Sequence, residues 1–247
     1  MAKQILNLAH RGFSGKYPEN SKIAFEEAAK IPGCDGFESD VHFSKDKKLV
    51  IIHDPVLDRT TSGKGNVRDF SYSELLRLDN GSWMSAEFKG QKLMQFSDLL
   101  KLTRETGKVL NIELKNYEVF YDGLEQAVIK EIVKYKMQDK VFISSFNHIS
   151  VQLCKKINPE IKAGLLYGMP LYDAAAYAKT TSADAIHPKY TMLQYEKKLT
   201  EAFVKAGLTI NTWTVNTEAD MKEMIKLGVD SIITNYPDVL SKVMKRR

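Results

Sequence analysis

Three carboxylates, two imidazoles, an arginine and a lysine stand at the ends of short apolar runs in this chain, and together they make a catalytic inventory. The runs are Leu8-Ala9-His10-Arg11, Phe37-Glu38-Ser39-Asp40, Val50-Ile51-Ile52-His53-Asp54 and Leu110-Asn111-Ile112-Glu113-Leu114-Lys115. In a strand, residues two apart share a face, so Glu38 with Asp40, and Glu113 with Lys115, are expected to project together. Burying such groups is very costly unless they meet each other, a metal or an anionic ligand. They are therefore read as one site.

Each member suits a definite task. Glu38, Asp40 and Glu113 form an all-oxygen set, which fits one hard divalent cation, Mg2+ or Ca2+, better than a soft one. The alternative is neutralisation by Arg11 and Lys115 with no metal. His10 and His53 titrate near neutral pH and suit a base and an acid. The guanidinium fork of Arg11 and the ammonium of Lys115 suit phosphate oxygens, where negative charge builds in a transition state. No serine or cysteine nucleophile with a base partner is evident. Trp213, His187 and Phe146 are expected to line the pocket. Asn20 with Ser21 reads equally as a helix cap or as support for the site, and His42 and His148 as surface or loop histidines.

The elements that must position these residues are parallel βα units. In the second half, amphipathic stretches end in glycine and lead into β-rich runs, as at Gly207 before Leu208–Trp213 and Gly228 before Val229–Thr234. Such a glycine supplies the left-handed residue that turns a helix into the next strand. Strands are expected at 5–9, 35–41, 109–114, 141–145, 161–166, 184–187, 208–213 and 230–234, the number that closes a (β/α)8 TIM barrel. Residues 49–53 are left over. The polar turn Ser44–Lys48 predicts that they fold back antiparallel on the second strand, with His53 opposite Glu38. Residues 54–93 read as an insertion over the barrel mouth, and a helix is expected at 96–105. The proposed site residues fall at strand carboxyl ends, where such barrels carry their active sites.

At 247 residues, 43% of them hydrophobic and 27% charged, the chain has ordinary composition and the length for one barrel domain over 1–247. No apolar run is long enough to span a membrane, and Ile5–Ala9 is too short for a signal-peptide core, so a cytoplasmic location is expected. Cys34 and Cys154 have no metal-ligand spacing and read as free thiols in a reducing compartment. The net charge of +5 is scattered except at Lys242, Lys245, Arg246 and Arg247, read as a solvated helix end. It favours small anionic substrates over nucleic acid. Nothing in the sequence speaks to oligomeric state.

The order and spacing of the motifs also carry a resemblance. His10-Arg11-Gly12, Pro18-Glu19-Asn20-Ser21, Glu38-Ser39-Asp40-Val41, His53-Asp54 with Arg59-Thr60-Thr61, Glu113-Leu114-Lys115, and late segments at Ile186–Pro188, Trp213–Asn216 and Ile233–Pro237 resemble the glycerophosphodiester phosphodiesterase family over nearly the whole chain. The resemblance implies hydrolysis of glycerophosphodiesters to glycerol 3-phosphate and an alcohol, with Glu38, Asp40 and Glu113 as metal ligands and His10 and His53 as general acid and base. It also implies attack by the substrate's own vicinal hydroxyl through a cyclic phosphate. Within the family the rival reading is a lysophospholipase D, with Trp83, Met84 and Phe88 as an apolar rim; outside it, a catalytically silent phosphate-ester binder or a Schiff-base lyase using Lys115. Two segments depart from the family pattern: Leu93-Met94-Gln95 replaces Pro-Thr-Leu, and Thr234-Asn235 replaces Thr-Asp. Neither is expected to touch the acids, bases or ligands.

Overall fold

Residues 5–245 are described by a computed structural model. They form one sheet of ten strands: β1 (Leu6–His10), β2 (Gly36–Phe43), β3 (Leu49–Ile51), β4 (Met94–Gln95), β5 (Val109–Leu114), β6 (Val141–Ser145), β7 (Ala163–Tyr167), β8 (Ala185–Pro188), β9 (Thr209–Thr212) and β10 (Ser231–Thr234). All but β3 and β4 run parallel and close into a barrel, since β1 pairs with both β2 and β10. Every expected barrel strand is found, with ends displaced by two residues or fewer.

Helices cover the outside: α1 (Lys22–Ala29), α2 (Tyr72–Leu75), α3 (Phe96–Glu105), α4 (Leu124–Lys134), α5 (His148–Ile157), α6 (Ala174–Thr180), α7 (Tyr190–Tyr195), α8 (Leu199–Lys205), α9 (Glu218–Leu227) and α10 (Pro237–Lys245). Strand alternation explains the layering. On β5, Leu110, Ile112 and Leu114 belong to the apolar layer under the helices, while Asn111 and Glu113 line the interior pocket. Phe37 of β2 likewise meets Phe25 of α1 edge to face at 5.5 Å, and each fully buried side chain of this size contributes roughly 1.5–3 kcal/mol. Gly207 and Gly228, both at φ +75°, end α8 and α9 as their positions predict. Lys242 and Lys245 lie in the last turn of α10; Arg246 and Arg247 fall outside the described residues.

The second strand carries the expected hairpin, with a different register. Val41 faces Ile51 and Phe43 faces Leu49, so the pairing extended by two residues sets His53 opposite Ser39 rather than Glu38. The bond from Ile52 N to the Asp40 carbonyl, 3.2 Å, agrees. The turn closes around Ser44, whose backbone N–H donates to the Lys48 carbonyl at 3.0 Å, with Lys47 at φ +57°.

Residues 54–93 differ from expectation in placement. The segment is bounded by β3 and β4, which pair antiparallel, and Leu57, Val67, Leu75 and Leu93 pack with Val50 and Ile52 in a small core of their own. Phe88 packs on Tyr17 at 5.8 Å. With its apolar side chains so used, the segment stands beside the mouth, and none of its residues lines the pocket at the strand ends.

Candidate active site

The pocket opens at the carboxyl ends of the strands. It has a volume of about 230 Å3 and is lined by the charged or imidazole residues His10, Arg11, Glu38, His53, Glu113 and Lys115, by the apolar or aromatic Tyr117, Phe146, Leu166, Trp213 and Ile233, and by Asn111, Ser144 and Thr214. A larger cavity of about 880 Å3 opens at the amino ends. There Asp184 is bound by Lys155 at 2.7 Å and by Lys162 at 2.9 Å.

Strand register builds the acidic cluster. Asp40 is level with Glu113, and Glu38 with Asn111, so the inward faces of β2 and β5 bring Glu38, Asp40 and Glu113 together. One oxygen from each lies within 4.8 Å of the others, and all three residues are buried. Two cations share the space. Arg11 Nε is 3.4 Å from Asp40 Oδ2, and Lys115 Nζ is 3.1 Å from Asp40 Oδ1 and 2.7 Å from Glu113 Oε1. Three negative charges against two positive ones leave a deficit. Asp40 Oδ1 and Glu113 Oε1 share the single Lys115 ammonium. A buried, converging all-oxygen donor set fits a hard divalent cation.

The protonation states respond to this strain. Burial, reinforced by repulsion from Asp40 and Glu113, raises Glu38 well above the ordinary carboxylate value. Burial pushes Glu113 to about 7 against the attraction of Lys115. Asp40 goes the other way, because Lys115 and Arg11 outweigh its burial. Burial alone would lower Lys115, but Glu113 and Asp40 raise it instead, so it stays an ammonium and a Schiff base is disfavoured.

Both imidazoles turn one nitrogen to a fixed partner. His10 Nδ1 lies 2.6 Å from Asn235 Oδ1, and His53 Nδ1 lies 2.6 Å from Asp54 Oδ1. Since these oxygens accept, each Nδ1 carries the hydrogen and each Nε2 keeps its lone pair; His10 Nε2 lies 3.8 Å from Glu38 Oε2. Burial and the nearby Arg11 lower His10 to about 3. Burial also lowers His53, against the pull of Asp40.

Comparison with known proteins follows the same lines. Residues 10–239 match the Glycerophosphoryl diester phosphodiesterase family. A glycerophosphodiester phosphodiesterase of Caldanaerobacter subterraneus is 40% identical over 243 residues, 98% of this chain and 99% of that one. The chain belongs to the glycerophosphodiester phosphodiesterase family. A Bacillus subtilis glycerophosphodiester phosphodiesterase is 34% identical over 98% of this chain and 87% of its own length. Among solved structures, an Oleispira antarctica phosphodiesterase in complex with the product sn-glycerol-3-phosphate superposes with a TM-score of 0.87 at 26% identity, covering 98% of this chain and 97% of that one.

Within this family member, the structure gathers nine of the ten expected site residues, with Asp40 just beneath the pocket lining. His187 is the exception. Its ring is wholly buried inside the barrel, against Gly164, where an added Cβ would come within 2.4 Å of it, and Asn211 Nδ2 donates to its Nε2 at 2.9 Å. The bare glycine opposite makes room for the ring below the pocket. His42 is corrected too: it is buried, with Nε2 donating to the His53 carbonyl and Nδ1 facing the Tyr121 hydroxyl, each at 3.0 Å. His148 is half-buried at the start of α5.

The open reading of Asn20 resolves into two residues. Ser21 caps α1 by accepting from Ala24 N, while Asn20, buried at φ +56°, donates to Asp40 Oδ2 at 2.9 Å and accepts from Ser39 Oγ. Asn235 overturns an expectation, since this departure from the family pattern touches His10 directly. Glu19 and Asp54 were passed over as functional residues, although both stand in the quoted motifs. Position next to Asn20 and His53 was the available signal.

Proposed function

We propose that this family member hydrolyses glycerophosphodiesters to glycerol 3-phosphate and an alcohol, the whole chain acting as one domain in a reducing, cytoplasmic setting suited to its buried free thiols. The convergence of three carboxylates, two cationic side chains and two imidazoles in one small pocket carries the reading. A phosphodiester supplies a further anion for Lys115 and for Arg11, which also holds Glu19, once the clustered carboxylates are engaged by a cation. Glu38, Asp40 and Glu113 would hold one Mg2+ or Ca2+, which when bound supplies neutralisation of charge on the phosphoryl oxygens.

The chain's own residues move the protons. With Nδ1 committed to Asn235 or Asp54, each imidazole presents Nε2 to the substrate. One Nε2 takes the proton of the vicinal glycerol hydroxyl as that oxygen bonds to phosphorus. The other, protonated, gives its proton to the departing alcohol as the P–O bond breaks. Water then opens the cyclic phosphate with the roles reversed. Attack from within the substrate removes much of the entropic cost of bringing in a nucleophile, and Phe146 and Trp213 would flank the glycerol as an apolar wall. The test is a panel of glycerol diesters of choline, ethanolamine, glycerol and inositol, assayed with EDTA and with each ion. Phosphorus NMR should reveal the cyclic phosphate, and a 2-deoxy substrate should turn over far more slowly. Equal turnover of the deoxy compound would defeat the route.

One observation favours a second reading, a lysophospholipase D. Phe120, Ile149, Met169 and Tyr172 are exposed on the segments leaving β5, β6 and β7, the same segments that carry Tyr117 and Phe146 into the pocket. Trp83, Met84 and Phe88, expected to form such a rim, lie in the segment beside it. Turnover of a monoacyl substrate that falls on Phe120→Ser and Met169→Ser, with glycerophosphocholine unaffected, would support that reading.

A further inference from the structure

Arg59 stands in the turn after β3, outside the pocket, with its side chain 44% exposed. Its donors are nonetheless committed to two carboxylates. Nε and Nη2 donate to Asp54 Oδ2 and Oδ1 at 2.7 and 3.0 Å, and Nη1 and Nη2 donate to Glu19 Oε2 and Oε1 at 2.8 Å each. Each carboxylate is bound in turn to a residue of the site: Asp54 Oδ1 to His53 Nδ1 at 2.6 Å, and Glu19 Oε1 to Arg11 Nη1 at 2.9 Å. We infer that Arg59 is a positioning residue that, through Asp54 and Glu19, aims His53 for proton transfer and Arg11 at the phosphate oxygens. The inference rests on the roles proposed for His53 and Arg11.

The turn that presents Arg59 is itself held. Leu57 is fully buried in the small core beside the mouth, its N–H donates to the Gly65 carbonyl at 2.9 Å, and its carbonyl accepts from Thr61 Oγ1 at 2.8 Å. A guanidinium is planar and rigid, with five donors that can meet two carboxylates edge-on; the single ammonium of a lysine cannot reproduce both grips. Without Arg59, Asp54 and Glu19 would be like charges with no common partner, free to swing apart and take His53 and Arg11 out of line. Arg59 is itself exposed, so solvent screens its part in stability, although Glu19 and Asp54 are largely buried. The effect of these ion pairs is expected in catalysis, where a displacement of about 1 Å can cost about a hundredfold.

The test compares Arg59→Ala and Arg59→Lys in the full chain. With glycerophosphocholine as substrate, Arg59→Ala should lower kcat by about 10- to 100-fold, with the thermal midpoint nearly unchanged, and Arg59→Lys should recover only part. Combined with Asp54→Asn the losses should be less than additive in kcat, and combined with Glu19→Gln less than additive in KM. A readout independent of turnover is the imidazole N–H spectrum. The His53 Nδ1 proton, bonded to Asp54, should broaden or move in Arg59→Ala. An unmoved His53 signal, or strictly additive losses in both pairs, would overturn the inference. Should the unaltered protein cleave none of these diesters, the proposed reaction fails by itself, and the imidazole signal alone decides Arg59.

Discussion

Two halves of one barrel face the same pocket with opposite chemistry. The strands from β1 to β5 bring His10, Arg11, Glu38, His53, Glu113 and Lys115 to it, whereas those from β6 to β10, with the segments that follow them, bring Phe146, Leu166, Trp213 and Ile233. In the first half, three buried carboxylates share the cations Arg11 and Lys115, and their protonation equilibria are displaced in opposite directions. In the second, polar groups inside the barrel largely satisfy one another: Ser231 donates to Asn211, and Asn211 to His187, with His187 Nδ1 the one orphan of that chain. The difference teaches that the charged half is built to meet an ionic ligand, while the apolar half gives shape.

The strongest way to break this contrast is to strip or neutralise the charged half. Chelation should abolish hydrolysis and a divalent ion restore it, and Glu38→Gln, Asp40→Asn and Glu113→Gln should each lower kcat about a thousandfold or more, since a bound cation is worth several kcal/mol at the transition state. Full activity in exhaustively chelated protein would erase the distinction. The same Glu38→Gln should raise the thermal midpoint of metal-free protein, because the buried acid must take up a proton or keep its charge among like charges and the amide need do neither.

The imidazoles come next. His10→Ala and His53→Ala should each reduce kcat by roughly 10² to 10⁴ while the circular dichroism spectrum is kept, and His148→Ala should do little. A comparable loss at His148 would shift the site toward the apolar half.

For the apolar half the sign reverses, with stability lost and chemistry kept. Leu165 is fully buried on β7, so Leu165→Ala should cost about 2–5 kcal/mol in urea unfolding, with kcat of the remaining folded protein close to normal. A collapse of kcat at unchanged stability would mean the two halves are not separable in this way.

Reckoned per pH unit, the smallest expected effect is a pH dependence seated in that half. Burial holds His187 neutral, its pKa lowered from 6.5 to about 3. Between those values the unfolded chain binds a proton that the folded chain refuses, so stability is complete above 6.5 and falls as the pH drops toward 3. His42, lowered to about 4, adds the same sign from the other half. Each imidazole contributes at most about 1.4 kcal/mol per pH unit. Urea midpoints measured across this range should slope less steeply in His187→Gln, and an identical slope would place the titration elsewhere.

Much of this was legible in advance, and the misses share a cause. The strands, the helix at 96–105 and the inward faces of Glu38, Asp40 and Glu113 follow from periodicities of two and of three to four residues, which are local. His187 was misread because its strand position was right but its depth in the barrel depends on Gly164, from a neighbouring strand. Asn235 and His10 are 225 residues apart, so nothing local to either residue signals their contact. The hairpin turns over Ser44–Lys48 as the polar composition predicts, and that turn sets His53 across from Ser39, one residue from the rough alignment with Glu38.

By itself, then, the sequence determined which strands and helices form, and which side chains of each strand face inward, since alternation along a strand and glycine at helix ends need no distant partner. Only the tertiary structure decided what those side chains touch. Barrel closure brings β10 beside β1 and so sets Asn235 on His10, and packing of the segment after β3 carries Arg59 onto Glu19 across 40 positions. Hydrogen bonds reach about 3 Å, and which groups come within that reach is settled by the packing of the whole chain.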